Sequence, residues 1–136
     1  PPHQDGFYFC LKPDEAVTMW IALEDVDKEN GCVHYLRGSH REGIRPHGQS
    51  AVLGFSQTIL DFEPPGKARE FVGIVKRGDA LVHHSATIHW ADANSSKRSR
   101  RAAGLVYYSK RARRDEAAFA RYLESSRSQQ KELGAI

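Results

Sequence analysis

Apolar residues along this chain fall in short runs separated by turn formers, and most runs are too short for helices. Phe7–Leu11 is apolar and aromatic and reads as a strand, broken by Lys12-Pro13-Asp14-Glu15. Val17–Leu23 reads as a second strand. It is apolar at both parities, as expected of a strand that is buried on both faces or central in a sheet. Glu24–Glu29 is acidic and solvated. Asn30-Gly31 makes a tight turn, since both residue types tolerate positive φ, and Cys32–Leu36 follows as the return strand.

From Arg41 to Gly66 periodicity is weak, and Gly, Pro, Ser and His are frequent. This stretch reads as a long loop with short extended pieces at Val52–Phe55 and Thr58–Phe62. Loops of this length inside a domain usually carry function, often as lids. Phe71–Val75, Ala80–His84 and Thr87–Trp90 are further strands, with a turn at Lys76–Asp79. The last two form either a hairpin or consecutive pieces. Ala102–Ser109 is β-rich and closes the sheet. After Arg114 the period changes, and Ala117, Ala118, Ala120, Tyr122 and Leu123 predict a helix to about Leu133, ended by Gly134. The pattern predicts an all-β sandwich or jelly roll over residues 1–110 and a helix over 114–133. Roughly six or seven strands are few for a closed jelly roll. The strands that precede the first are therefore expected outside this chain.

Composition narrows the class. A length of 136 residues suits one domain. No apolar run approaches the roughly 20 residues a membrane helix needs. The chain opens Pro-Pro-His, with neither Met nor a signal-like segment. The expectation is the C-terminal part of a longer, cytoplasmic protein. Cys10 and Cys32 make neither a disulfide framework nor a zinc site and read as reduced thiols. The net charge of +3 conceals a cluster: residues 97–114 hold eight cations and no acid, leaving 12 cations against 17 acids elsewhere. Such a cluster fits nucleic acid, an anionic small molecule or a solvated face. No nucleic-acid motif accompanies it, so neither nucleic acid nor a membrane is an expected partner.

The candidate chemistry begins at His3-Gln4-Asp5. On a strand, residues i and i+2 point to one side, so His3 and Asp5 can face a single ion from adjacent rungs. Two imidazoles and one carboxylate on one face of Fe(II) leave the opposite positions open for ligands that come and go. The third ligand has to come from a strand opposite in space and distant in sequence. His83, His84 and His89 compete for that role. Tyr8 and His84 are candidates for lining the pocket. His34, His40 and His47 have no ligand spacing and read as surface or capping residues, His40 helping to order the long loop.

The ordered set His3-Gln4-Asp5, Trp20-Ile21-Ala22-Leu23-Glu24-Asp25, Glu29-Asn30-Gly31-Cys32, Gly38-Ser39-His40, Gly78-Asp79, His89, Asn94 and Arg100-Arg101-Ala102 resembles the phytanoyl-CoA dioxygenase family of Fe(II)/2-oxoglutarate oxygenases. The resemblance runs from residue 3 to about residue 108. It implies a double-stranded β-helix, a cupin-like jelly roll. It also implies iron held by His3, Asp5 and His89, and Arg100 on the distal carboxylate of 2-oxoglutarate. An Arg suits that carboxylate because its planar fork makes two parallel hydrogen bonds. Arg98 shares the parity of Arg100 and Arg101 does not, so the choice of Arg100 rests on its family spacing, 11 residues after His89. Trp20 matches a position that flanks the cosubstrate; the alternative is packing in the core. Arg37 stands where the family often has Pro, and Ala91 replaces a small hydroxyl residue. The implied reaction takes dioxygen as oxidant, decarboxylates 2-oxoglutarate to succinate and CO2, and hydroxylates an unactivated C–H bond of a small-molecule organic substrate. Related halogenases lose the carboxylate that Asp5 retains, which favours hydroxylation. The rival reading is a non-catalytic cupin-like protein that keeps the metal motif.

Overall fold

The computed structural model describes residues 1–50 and 57–132. Helix α1 (Asp5–Phe9) leads into β1 (Leu11–Lys12), β2 (Ala16–Ala22) and β3 (Val33–Leu36). A 3-10 turn over Ser39–Arg41 precedes β4 (His47–Gln49) and β5 (Gln57–Ile59). Then come β6 (Glu70–Gly73), β7 (Ala80–His84), β8 (His89–Ala91), β9 (Ala102–Tyr108), β10 (Arg113–Arg114) and helix α2 (Glu116–Glu132). All strand pairs are antiparallel. One sheet has the order β7-β2-β9 and a second the order β6-β3-β8, while β4-β5 and β1-β10 are two-stranded. The two larger sheets turn their inner faces to each other, as in the cupin-like jelly roll that was expected. No helix among the described residues is long and apolar enough to cross a membrane.

The pattern of apolar runs located the central strands. β2, apolar at both parities, is flanked on both sides by β7 and β9, and β3, flanked by β6 and β8, is buried along its whole length. The inner face packs in two clusters. Ala22, Val26 and Cys32 are joined by Trp20, Val72 and Val75, and Leu36, Ile59 and Ile88 are joined by Phe62 and Trp90. On the outer face of the β7-β2-β9 sheet, Val17, Val82, Leu105 and Tyr107 are neighbours in register and exposed.

Several expectations need correction. Phe7–Leu11 is not a strand: α1 occupies its first part and ends at Cys10, whose φ of 52° is left-handed. The run is apolar because Phe7 stacks on His47 at 4.3 Å and Tyr8 meets Tyr122 edge-on at 5.6 Å. Five residues are too few for periodicity to distinguish the two states. β3 is not the return strand of a hairpin with β2, and β7 and β8 are not a hairpin; in each case the chain crosses from one sheet to the other. The β2–β3 crossover rests on the Asn30-Gly31 pair. Asn30 is fully buried, accepting from Asp27 N–H and donating to the carbonyls of Asp25 and Ser99. Gly31 has φ +82°, and a Cβ there would lie 2.5 Å from the Asp92 carbonyl oxygen. The loop over 41–66 contains the β4-β5 ribbon, and the piece expected at Val52–Phe55 lies outside the described residues.

Candidate metal centre

The first ligand pair does not sit on adjacent rungs of one strand. His3 pairs with β8 as an isolated bridge, its N–H donating to His89 O and its carbonyl accepting from His89 N–H, both at 3.0 Å. This reciprocal pairing sets the two imidazoles side by side, with ring centroids 4.1 Å apart. Asp5 is already the first residue of α1, so its carboxylate swings across to β2. The residue between them does the holding. Gln4 is fully buried; its side-chain amide donates to Gly43 O (2.9 Å) and Ala86 O (2.7 Å) and accepts from Arg45 N–H (2.8 Å). Its backbone N–H donates to His47 Nε2 at 3.1 Å. A polar residue flanked by two candidate ligands was the only sequence signal for this clamp.

His3, Asp5 and His89 each offer one ligand atom, and the three atoms lie within 4.8 Å of one another. His3 Nδ1 donates to Pro1 O and His89 Nδ1 to Thr87 O, both at 3.0 Å. A carbonyl only accepts, so each Nδ1 carries the proton and each Nε2 presents its lone pair. Both Nε2 atoms face the same carboxylate oxygen, Asp5 Oδ1, at 3.7 and 3.6 Å. Those separations are too long for hydrogen bonds. They are wider than the about 3 Å between ligands held about 2.1 Å from one ion at right angles, and close to the roughly 3.6 Å between ligands about 120° apart. The other oxygen, Oδ2, is occupied: Thr18 Oγ1 donates to it at 2.6 Å and His83 Nε2 at 3.1 Å.

Burial pushes the imidazoles of His3 and His89 below the usual histidine range, His89 to about 3, so both are neutral at pH 7 as metal ligands must be. For Asp5, burial opposes ionisation. The hydrogen bonds from His83 and Thr18 and the neighbouring imidazoles outweigh it, and hold the carboxyl well below the usual range. The donor set is therefore two neutral imidazoles and one carboxylate, the chemistry a divalent first-row metal takes.

These groups open into a cavity of about 390 Å³ between the two sheets. Arg100, Trp20, Tyr35 and His83 also line it. Among the three neighbouring arginines, Arg98 pairs with Asp27 at 2.7 Å and Arg101 with Glu24 at 2.7 Å, while Arg100 has no carboxylate partner among the described residues. Much of the cation cluster is paired likewise, Arg111 with Glu15 and Arg114 with Glu116. Trp20 packs on the Ala22–Val26–Cys32 cluster and also lines the cavity.

Four placements differ from expectation. His84 does not line this cavity; alternation along β7 puts it on the outer face, where it lines a shallow groove with Glu15, Val17 and Tyr107. His83 takes the inner position. Tyr8 is not among the lining residues: its ring packs edge-on against His3 at 5.8 Å, and its hydroxyl donates to Gln57 O. His34 and His47 are not surface residues. His34 is buried between Glu70 and Asp92 and stacked on Trp90, and His47 is half-buried under Phe7; His40 is exposed.

Comparison with known proteins places this geometry in a family. Residues 1–102 match the profile of the phytanoyl-CoA dioxygenase (PhyH) family. Phytanoyl-CoA dioxygenase 1 of Oryza sativa subsp. japonica is 36% identical over 106 residues, which span 76% of this chain and 37% of the rice protein. Among solved structures, EvdO2 from Micromonospora carbonacea var. aurantiaca, complexed with 2-oxoglutarate, superposes with a TM-score of 0.67 at 30% identity, over 80% of this chain and 44% of that one. The epimerase SnoN, in complex with Fe3+, α-ketoglutarate and nogalamycin RO, superposes with a TM-score of 0.64 at 32% identity, over 82% and 43%. The chain thus spans little more than a third of the rice relative and under half of each solved chain. With 102 of its 136 residues inside the family profile, the chain belongs to the phytanoyl-CoA dioxygenase family.

Proposed function

We propose that this chain forms the iron- and cosubstrate-binding face of an Fe(II)/2-oxoglutarate-dependent oxygenase. His3, Asp5 and His89 hold the metal, Arg100 takes the distal carboxylate of 2-oxoglutarate, and Trp20 flanks it. The observation that carries the reading is the convergence of two proton-free Nε2 atoms on one free carboxylate oxygen. Arg100 supports it, as the cavity's arginine with no carboxylate partner among the described residues. Bound there, Fe(II) and 2-oxoglutarate would supply an oxidant for C–H bonds as the cosubstrate is decarboxylated to succinate. The chain's own work is to fix the ligand tautomers, orient the two carboxylates and enclose the site between apolar sheets.

Hydroxylation is the outcome proposed, because a carboxylate occupies the third ligand position. Asp5→Ala should abolish metal-dependent succinate formation, and a heavy-oxygen label from dioxygen should appear in the product of the unaltered protein. Succinate formation that survives Asp5→Ala would overturn the metal assignment. A turned-over substrate without the label would overturn hydroxylation alone, leaving other oxidative outcomes such as the epimerisation named for SnoN.

A further inference from the structure

His83 belongs to neither the ligand set nor the core clusters, yet it is buried at the metal centre, 8% exposed. It lies on the inner face of β7 opposite Thr18 in register, so the two side chains reach the same point from adjacent strands. Both end on Asp5 Oδ2, Thr18 Oγ1 at 2.6 Å and His83 Nε2 at 3.1 Å. A carboxylate only accepts, so His83 Nε2 carries the proton. Its other nitrogen, Nδ1, is buried with no hydrogen-bond partner. An unpartnered buried nitrogen is unfavourable by roughly 1–3 kcal/mol. The imidazole is therefore kept in an unfavourable place for a single polar contact, the one to Asp5. Ring packing confirms the placement, with centroids 4.5 Å from His89 and 5.1 Å from Tyr35.

We propose that His83 is a positioning residue: together with Thr18 it occupies Asp5 Oδ2, so that only Oδ1 faces the metal. A carboxylate freed on both sides can take an ion through both oxygens. That would fill a position a chelating cosubstrate needs. The two donors thereby keep the open face open. The inference rests on the metal reading above and adds to it a role for two residues that bind neither metal nor cosubstrate.

The test uses Co(II) alone as the first probe and 2-oxoglutarate, titrated into the Co(II)-loaded protein, as the second. His83→Leu removes the donor, His83→Gln keeps an N–H at similar reach, and Thr18→Val removes the other donor with little change of shape. In both His83→Leu and Thr18→Val, 2-oxoglutarate affinity of the loaded protein should fall at least about tenfold, and Co(II) affinity by less. His83→Gln should recover most of the loss. The proposal is overturned if cosubstrate affinity stays within about twofold of the unaltered protein in Leu and Val, or if Gln behaves as Leu. It is also overturned if Co(II) affinity falls as far as cosubstrate affinity, the mark of a residue that merely supports the fold. Thr18→Val decides the matter should His83→Leu fail to fold. An unaltered protein that takes up no Co(II) would sink the metal reading itself. Normal binding by every variant would sink only the role of His83 and Thr18.

Discussion

At the scale of single residues, the site is a set of orientations as much as a set of ligands. His3 and Asp5 were candidate ligands by spacing, a weak signal alone, and the family resemblance added His89 and Arg100 to the expected set. What holds them was not legible. Gln4, with three side-chain hydrogen bonds to the backbone of Gly43, Arg45 and Ala86, looks in the sequence like filler between two candidate ligands. His83 looks like a competitor of His89. Arg100 and Arg98 share parity in the sequence, but their surroundings separate them: Arg98 is held by Asp27 and Glu29, Arg100 by no acid among the described residues. Arg100→Ala should therefore raise the apparent KM for 2-oxoglutarate by about 10- to 100-fold, the worth of a lost charge-assisted contact. Arg98→Ala should leave it nearly unchanged. Steady-state kinetics at varied 2-oxoglutarate check both, and equal effects would reverse the assignment.

At the scale of elements, the runs of apolar residues located β2, β3, β7, β9 and α2, since alternation and length carry that information. Their partners were not legible. β2 and β3 read as a hairpin, yet one is central in each sheet, because the segment between them crosses from one sheet to the other and is pinned by Asn30 and Gly31. Gly31 answers a tertiary constraint as well as a local one. Its φ is positive and the Asp92 carbonyl, next to β8, sits where a Cβ would be. Gly31→Ala should lower stability by about 2 kcal/mol or more, beyond the roughly 1 kcal/mol of strain alone, since a backbone oxygen cannot move aside freely. Thermal or urea unfolding measures it. A loss no larger than the strain term would mean that the crossover relaxes.

At the scale of the whole molecule, the site makes the fold sensitive to acid. Burial holds the imidazoles of His3, His47 and His89 below their ordinary value. Below about pH 6.5 the unfolded chain takes up protons there that the folded chain refuses, so stability falls as pH falls. The Asp5 carboxyl, held low in the folded state, adds a loss of the same sign below about pH 4. The metal-free protein should keep a constant melting temperature from pH 8 to 7 as far as these groups decide it, and lose several degrees by pH 5. His89→Gln should flatten that slope, and an unchanged slope would show that the buried imidazole is not its source. The chain by itself offered the candidate ligand types and showed where most strands lie, because residue type and alternation are local properties; the choice among its histidines rested on family resemblance. Only the tertiary structure decided that His3 pairs with His89 across a sheet edge, that Asp5 turns one oxygen to the two imidazoles and the other to Thr18 and His83, and that of Arg98, Arg100 and Arg101 only Arg100 has no carboxylate partner among the described residues. Those are relations between segments brought together by packing, and no run of consecutive residues encodes them.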